Sequence, residues 1–363
     1  MAQDISPKKR ALIAMSGGVD SCTAAYLMQQ AGYDCTGCTM RLHDAAKNDA
    51  DDAKAVCERL HMPHFVPDCR AEFHSKVIEK FVQSYAEGRT PNPCLDCNRC
   101  LKFGRLMQEA DALGCDTLVT GHYARIEQAP DGTFLLKKAA DPAKDQSYVL
   151  YMLTQRQLAR ICFPLGGLTK AQVRQTAAEQ GFVSAHKSES QDICFVPDGN
   201  YAAVIEAETR LPAVPGDFTD SAGNVIGQHA GIIHYTIGQR RGLGIALGAP
   251  AYVCGIDAEN NRVIIGQQAD LFTDCVYLQN MNWIAGAPPA GPVRCAAKIR
   301  YRHREQPALL TFTGENTAVL RFDAPQRAVT PGQAAVCYDG DTVLGGGEII
   351  RAELSGKGVK SDE

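Results

Sequence analysis

The stretch Ala11-Leu-Ile-Ala-Met15-Ser16-Gly-Gly-Val-Asp-Ser21, running on through Cys22 to Gln30, decides the architecture of the first half of the chain. Its five leading apolar residues are too few for a helix and suit a strand buried on both faces. Two glycines permit a sharp turn. Cys22 to Gln30 then has helical composition, with Gly32 placed to end the helix. A strand that turns through glycines into a helix leaves backbone N–H groups and the positive end of the helix dipole facing one point, which favours an anion. The hydroxyls of Ser16 and Ser21 add donors there. No Lys-Ser or Lys-Thr follows a GxxxxG spacing, so the loop is not of the Walker type. Asp20 would repel a phosphate, so its presence calls for an intervening Mg²⁺ or for a positioning role.

Outward from this loop the same alternation continues. Strands are expected over Cys35 to Leu42, His64 to Val66 and Asp116 to Gly121. Helices are expected over Asp51 to Leu60, Ala71 to Glu87 (stopped by Gly88), Asn98 to Leu113, Ser147 to Arg160 and Lys170 to Gln180. Alternating β and α elements predict a parallel sheet in an α/β domain. After about residue 205 short alternating runs take over, such as Ala251 to Ile256 and Arg262 to Ile265 across a Glu259-Asn-Asn261 turn. Five further runs lie between Val293 and Ile350 at the spacing of a small barrel. The expected division is a catalytic α/β domain over 1–204, a small β-rich middle domain over 205–280 and a C-terminal β-barrel over 281–363.

Composition narrows the function. With 363 residues, 45% hydrophobic and 21% charged, there is core enough for two or three domains, which excludes a disordered chain. No apolar run approaches the ~18 residues of a membrane span, and Ala11 to Met15 is too short for a signal-peptide core. A cytoplasmic protein is expected, in which the fifteen cysteines are free thiols, ligands or catalysts rather than disulfides. A net charge of −4 argues against nonspecific coating of nucleic acid but leaves room for a local basic surface. Arg294, Lys298, Arg300, Arg302 and Arg304 form such a stripe with no acid among them, although a stripe of this kind is ordinarily a solvated strand face.

Cysteines in stiff polar loops carry the chemical argument. In Thr90-Pro-Asn-Pro-Cys94-Leu-Asp-Cys97-Asn98 the prolines fix the loop, and Cys97 is expected near the start of the next helix, where the dipole would lower its thiol pKa. Cys94, Cys97 and Cys100 have spacings that also suit zinc or an iron–sulfur cluster. A second polar loop, Ser188-Glu-Ser-Gln-Asp-Ile-Cys194-Phe195, ends in one more cysteine. Two distant loop thiols in a nucleotide-binding chain are what a sulfur relay requires, one carrying sulfane sulfur and the other helping to expel it.

Ser16–Ser21 resembles the PP-loop of the ATP pyrophosphatase superfamily, whose members activate a carbonyl oxygen as its AMP adduct. With Thr90–Pro93, Cys97-Asn98, Thr120–Arg125, Lys144–Tyr148, Ser190–Phe195, Gly231–Gly244, Ala297–Arg302 and Thr330–Gln333, in that order, the chain is similar to the tRNA-specific 2-thiouridylases. The resemblance implies a PP-loop domain, a small β-rich domain and a C-terminal barrel. It implies ATP, with Mg²⁺, held by Ala14, Met15, Ser16, Gly17, Gly18, Val19, Asp20 and Ser21, with Met40 and Gly121 against the nucleotide. Cys97 would be the nucleophile and Cys194 the persulfide carrier, while Asn92, Pro93 and Cys94 line the pocket for the target base. His122, Lys144, Asp145, Gln146, Arg300, Tyr301 and Gln333 would contact tRNA, which turns the basic stripe from a solvated face into a binding surface. The implied activity is 2-thiolation of the wobble uridine, fed by a persulfide donor protein such as a cysteine desulfurase or a sulfur-relay protein. Two alternatives stay open at the level of sequence: an iron–sulfur-dependent tRNA thiolase using Cys94, Cys97 and Cys194, and a non-catalytic ATP-sensing RNA-binding module.

Overall fold

The computed structural model describes residues 8–43, 47–186, 193–196, 199–245 and 248–355. Strand β1 (Arg10–Ala14) alternates its buried side chains between two cores. Leu12 faces one, while Ala11 and Ile13 face the other. Burial on both faces explains its uninterrupted apolar run. It is the middle strand of a five-stranded parallel sheet with β2 (Asp34–Cys38), β3 (His64–Phe65), β4 (Thr117–Val119) and β7 (Ile161–Cys162), in the order β3-β2-β1-β4-β7. Chain order reverses between β1 and β4, and in open α/β sheets ligands bind outside the carboxyl ends of the strands at such a switch point.

Helices Val19–Gln30, Lys47–Arg59 and Lys170–Glu179 follow the expected pattern. Three segments depart from it. The helix expected from Asn98 begins at Pro93, because Asn92 caps it through Oδ1 accepting from the Cys94 N–H (3.2 Å) and proline occupies the first helical position. Cys97 therefore lies in the second turn, and Cys97–Arg105 is π-helical before the α-turns of Leu106–Ala112. Residues 70–86 likewise form one helical run with a π-segment at His74–Ile78. The helix expected over Ser147 to Arg160 is instead a 3₁₀ turn (Ser147–Leu150) and a short helix (Gln155–Leu158). Tertiary packing overrides periodicity here. Tyr148, Leu150, Tyr151 and Leu153 are wholly buried as a plug, and the Tyr148 hydroxyl donates to the Ala334 carbonyl at 2.8 Å.

The middle sheet has the order β10-β11-β8-β9, from β8 (Gly216–Thr219), β9 (Val225–His229), β10 (Tyr252–Asp257) and β11 (Arg262–Gly266). It packs around Phe218, Tyr235, Val253, Val263 and Ile265. The barrel comprises β12 (Phe272–Trp283), β13 (Val293–Lys298), β14 (Gln306–Phe312), β15 (Thr317–Arg327), β16 (Ala334–Asp339) and β17 (Thr342–Glu353). It closes because β12 pairs with both β15 and β17. A boundary between 280 and 281 cuts β12, and one between 204 and 205 cuts the helix Tyr201–Thr209.

A hairpin that sequence patterning did not announce, β5 (Arg125–Gln128) and β6 (Phe134–Lys137), extends the barrel sheet by pairing Lys137 with Thr342. Strand β16 is the joint: Ala335 and Cys337 fill the barrel, while Ala334, Val336 and Tyr338 enter the core of the first domain. No described helix is long and apolar enough to cross a membrane.

Candidate active site

The phosphate loop lies at the switch point. Gly17 takes a positive φ of 70° and Gly18 is the N-cap of the helix, with no side chain capping it. Its first N–H groups thus face the crevice without a side-chain acceptor from the cap. Ser21 organises the loop: its hydroxyl receives the Ser16 N–H (3.1 Å), lies 3.3 Å from the Ser16 hydroxyl and donates to the Gly18 carbonyl (3.1 Å). Gly121, just beyond β4, closes the crevice. A Cβ there would stand 2.8 Å from the Asp20 carbonyl carbon and 2.9 Å from the Ser21 nitrogen, so only glycine allows this approach.

Asp20 is engaged. Both of its oxygens receive Lys170 Nζ, at 2.7 and 2.8 Å, and the Tyr123 hydroxyl donates to one of them at 2.7 Å. The acid thus positions a lysine beside the loop, and in this arrangement its carboxylate does not fit the role of a Mg²⁺ ligand. Lys170 is a site residue that no sequence motif pointed to. It lies 150 residues away at the start of the helix Lys170–Glu179 and belongs to no local motif.

The segments that carry Cys97 and Cys194 converge on one apolar cluster. Cys194 is exposed, and its neighbour Phe195 wedges edge-on against Phe73 (5.7 Å between centroids) and Phe81 (5.2 Å). Phe195, Cys97, Cys100 and Met40 all pack on the cluster formed by Cys69, Phe73, Val77 and Leu101. Met40, expected at the nucleotide, and Cys97 therefore share one patch with the anchor of the Cys194 loop. Residues Ser188 to Asp192 of that loop lie outside the described residues.

All three loop thiols are held toward the protonated form. Desolvation by the surrounding protein pushes Cys97 up to about 12 and also raises Cys94 and Cys194, although both keep exposed surface, and neighbouring thiols add to the effect at Cys97 and Cys194. The lowering expected from a helix start does not appear, because Cys97 sits a full turn inside the helix. Asn98 is buried, its amide donating to the Val149 carbonyl at 3.0 Å while its Oδ1 finds no protein partner. Among the described residues no group of three or more His, Cys, Asp or Glu is arranged to hold a metal ion, Cys94, Cys97 and Cys194 included.

Three family models together match most of the chain: the tRNA methyl transferase HUP domain over residues 9–198, the tRNA methyl transferase PRC-barrel domain over 207–267 and the aminomethyltransferase beta-barrel domain over 273–349. The chain is 46% identical over 356 residues to the tRNA-specific 2-thiouridylase MnmA of Lachnoclostridium phytofermentans, covering 94% of this chain and all of that protein. It is 47% identical over 350 residues to the protein of that name from Acidithiobacillus ferrooxidans, covering 95% and 99%. This chain belongs to the tRNA-specific 2-thiouridylase family. A solved 4-thiouridine synthetase–RNA complex with bound ATP aligns with 52% of this chain and 46% of its own at 16% identity and a TM-score of 0.37.

The RNA-facing residues expected of a 2-thiouridylase divide in two. Tyr301 is exposed and donates through its hydroxyl to the Asp145 carbonyl (3.2 Å), next to Lys298, whose ammonium sits about 6 Å from the rings of both Tyr148 (5.9 Å) and Tyr301 (6.0 Å). Arg300 donates to the Arg327 carbonyl at 3.3 Å, and burial together with the Arg327 charge lowers its pKa. Lys144, Asp145 and Gln146 lie in the turn beneath. The Asp145 carboxylate accepts from the N–H groups of Ala139 and Ser147 and from the Ser147 hydroxyl, and the Gln146 amide oxygen accepts from the Tyr123 N–H.

Other members are tied into the protein itself. His122 is buried between Phe103 and Phe163, with Nδ1 2.6 Å from the Thr120 hydroxyl, and burial drives its pKa well down. Gln333 donates its amide to the Thr90 carbonyl (2.8 Å), so the barrel loop Thr330–Gln333 buttresses the loop that carries Asn92, Pro93 and Cys94. Arg294, at the far end of the basic stripe, is paired with Asp323 at 2.7 and 2.8 Å. The stripe is therefore part junction and part solvated face.

Proposed function

We propose that this chain is an ATP-dependent tRNA-uridine 2-sulfurtransferase acting on the wobble uridine. The observation that carries the proposal is the convergence of two thiol-bearing segments: Cys97 and Phe195, the neighbour of Cys194, pack on one apolar patch with Met40, and Cys194 is near enough to act on the Cys97 thiol. The family relationship supports the substrate class.

In this chemistry ATP binds across Ala14–Ser21 with Met40 and Gly121 against it, and Lys170 supplies positive charge beside the phosphates. The uracil O2 attacks the α-phosphorus and pyrophosphate leaves, so that a poor leaving group becomes AMP. The terminal sulfur of a Cys194 persulfide then attacks C2 and AMP departs, leaving the base joined to Cys194 through two sulfurs. Cys97 attacks the Cys194 Sγ, a Cys97–Cys194 disulfide forms, and the expelled sulfur remains on C2 as the thiocarbonyl. The sulfane sulfur is reduced by the two thiols, and a cellular thiol reductant restores them. The uridine must be splayed out of the anticodon stack to reach the pocket of Asn92, Pro93 and Cys94. His122, Lys144, Asp145, Gln146, Arg300, Tyr301 and Gln333 form or brace the RNA-binding face. Mg²⁺ enters with the nucleotide, and a persulfide donor protein of the cytoplasm loads Cys194.

Peptide mapping after a single turnover without reductant, with thiols trapped by alkylation, tests the relay. A Cys97–Cys194 disulfide is expected. A Cys94–Cys194 disulfide would move the nucleophile to Cys94.

A further inference from the structure

Several cations packed around the thiol site are engaged by acidic or aromatic partners. Lys80 is paired with Asp96 at 2.7 Å, Arg105 is paired with Glu109 at 2.6 Å, and Arg99 bonds to Tyr151. Lys102, half-buried on the same helix, has no hydrogen bond or ion pair to any described residue. Its place is set by the π-segment Cys97–Arg105. In an α-helix a residue five positions on is turned about 140° away, but π-geometry joins i to i+5 and sets Lys102 one turn above Cys97 on the same side. Its charge acts on the thiols of Cys94, Cys97 and Cys194 and on His122, groups drawn from three separate segments.

We propose that Lys102 is the counter-charge of the thiol site, its ammonium stabilising the sulfur anion at Cys97 and at the Cys194 persulfide through the transfer. The need is physical. Desolvation by the surrounding protein disfavours a thiolate at Cys97 and, though its surface is exposed, at Cys194, and a sulfur nucleophile reacts as the anion. A cation held one helical turn away offsets that penalty without forming a bond that would have to break. Straightening this stretch to α-geometry would rotate Lys102 away from Cys97. Among the described residues, the other charged or titratable groups around these cysteines include Cys100, Asp96 and Arg99 on the same helix, Lys76 and Lys80 from the neighbouring one, Tyr301 beside Cys94, and the imidazole of His122, which burial keeps neutral.

The proposal deepens the sulfur-transfer function above, and its test needs neither ATP nor tRNA. The full-length protein, reduced, is treated with iodoacetamide across pH 6 to 10. Alkylation at Cys97 and Cys194 is followed by peptide mass, with half-exposed Cys254 in the middle domain as a distant reference and buried Cys275 in the barrel as an unfolding sentinel. Lys102→Gln is expected to slow both site thiols roughly threefold to tenfold near neutral pH, because each unit by which the thiol pKa rises removes about nine-tenths of its thiolate. Cys254 should be unchanged, and Lys102→Arg should retain wild-type rates. Unchanged rates at Cys97 and Cys194 in Lys102→Gln would overturn the proposal. Should Cys275 open in that variant, Lys102→Arg with Cys275 closed becomes the deciding comparison, and slow site thiols there would overturn the proposal equally. If the alkylation shift is found but wild-type protein makes no 2-thiouridine, the counter-charge stands and the sulfur-transfer function fails.

Discussion

The ammonium of Lys170 sits 2.7 and 2.8 Å from the two carboxylate oxygens of Asp20, so the acid inside the phosphate loop carries its own counter-charge. An aspartate that looks hostile to phosphate in the sequence becomes the anchor that brings a lysine to it. The Tyr123 hydroxyl on the same carboxylate fixes the pair from the side of β4.

Lys170→Ala should therefore leave an unpaired Asp20 charge at the phosphate site. Pyrophosphate release in the presence of tRNA is expected to fall on the order of a hundredfold, about 3 kcal/mol, the usual scale for removing one charge-stabilising donor. Affinity for tRNA, measured by filter binding, should stay within about twofold. Equal losses in both would show that Lys170 is a structural prop rather than a phosphate-site residue.

Gly121→Ala tests the crevice from its other wall. The added methyl would meet the Asp20–Ser21 backbone at 2.8 to 2.9 Å, so the loop must shift. Overpacking of this kind costs about 1–3 kcal/mol. A raised KM for ATP and a lowered thermal midpoint are expected, and an unchanged KM would separate Gly121 from the nucleotide.

The buttress between barrel and first domain gives a stability prediction. Gln333→Ala removes the bond to the Thr90 carbonyl and should cost about 1 kcal/mol in urea unfolding. Turnover should fall more than tRNA affinity, because the loop bearing Asn92 and Cys94 loses its support. A drop confined to tRNA affinity would instead make Gln333 a direct RNA contact.

His74 clamps the helix Tyr201–Thr209 to the π-segment His74–Ile78: its Nε2 lies 2.8 Å from Glu208 and its Nδ1 3.1 Å from Glu79. Glu208 chiefly, by hydrogen bonding, raises the imidazole pKa above its ordinary 6.5. A raised histidine adds stability that is complete below about pH 6.5 and disappears as pH rises through the raised value. The gap in urea midpoint between wild type and His74→Gln should be larger at pH 6 than at pH 9. A gap that is constant with pH would mean the pair is not ionic.

Contiguous chemistry was legible in the sequence. Strand β1, the glycine turn and the cysteine loops each lie within a dozen residues, and their local physics is self-contained. What escaped depends on distant partners. Strand β12 was missed because bulges between Tyr277 and Leu278 and between Gln279 and Asn282 break its alternation. The β5–β6 hairpin carries an Asp131-Gly132 turn signal but is held in place by distant partners, pairing with β17 and bonding through Phe134 to Gln155. Ser147 to Arg160 has helical periodicity, yet the closing barrel compresses it into a buried plug. Lys102 was invisible because its position depends on a π-segment that no residue pattern announces.

Nucleoside mass spectrometry of unmodified tRNA, incubated with the enzyme, ATP, Mg²⁺ and a persulfide source, probes adenylation and sulfur transfer together. Wild type should convert the wobble uridine to 2-thiouridine, with AMP and pyrophosphate released in equal amounts. Cys194→Ser should give none, and Cys94→Ser should remain close to wild type. Absence of 2-thiouridine from wild type in the presence of a Cys194 persulfide, or its formation by Cys194→Ser, would contradict sulfur transfer through Cys194.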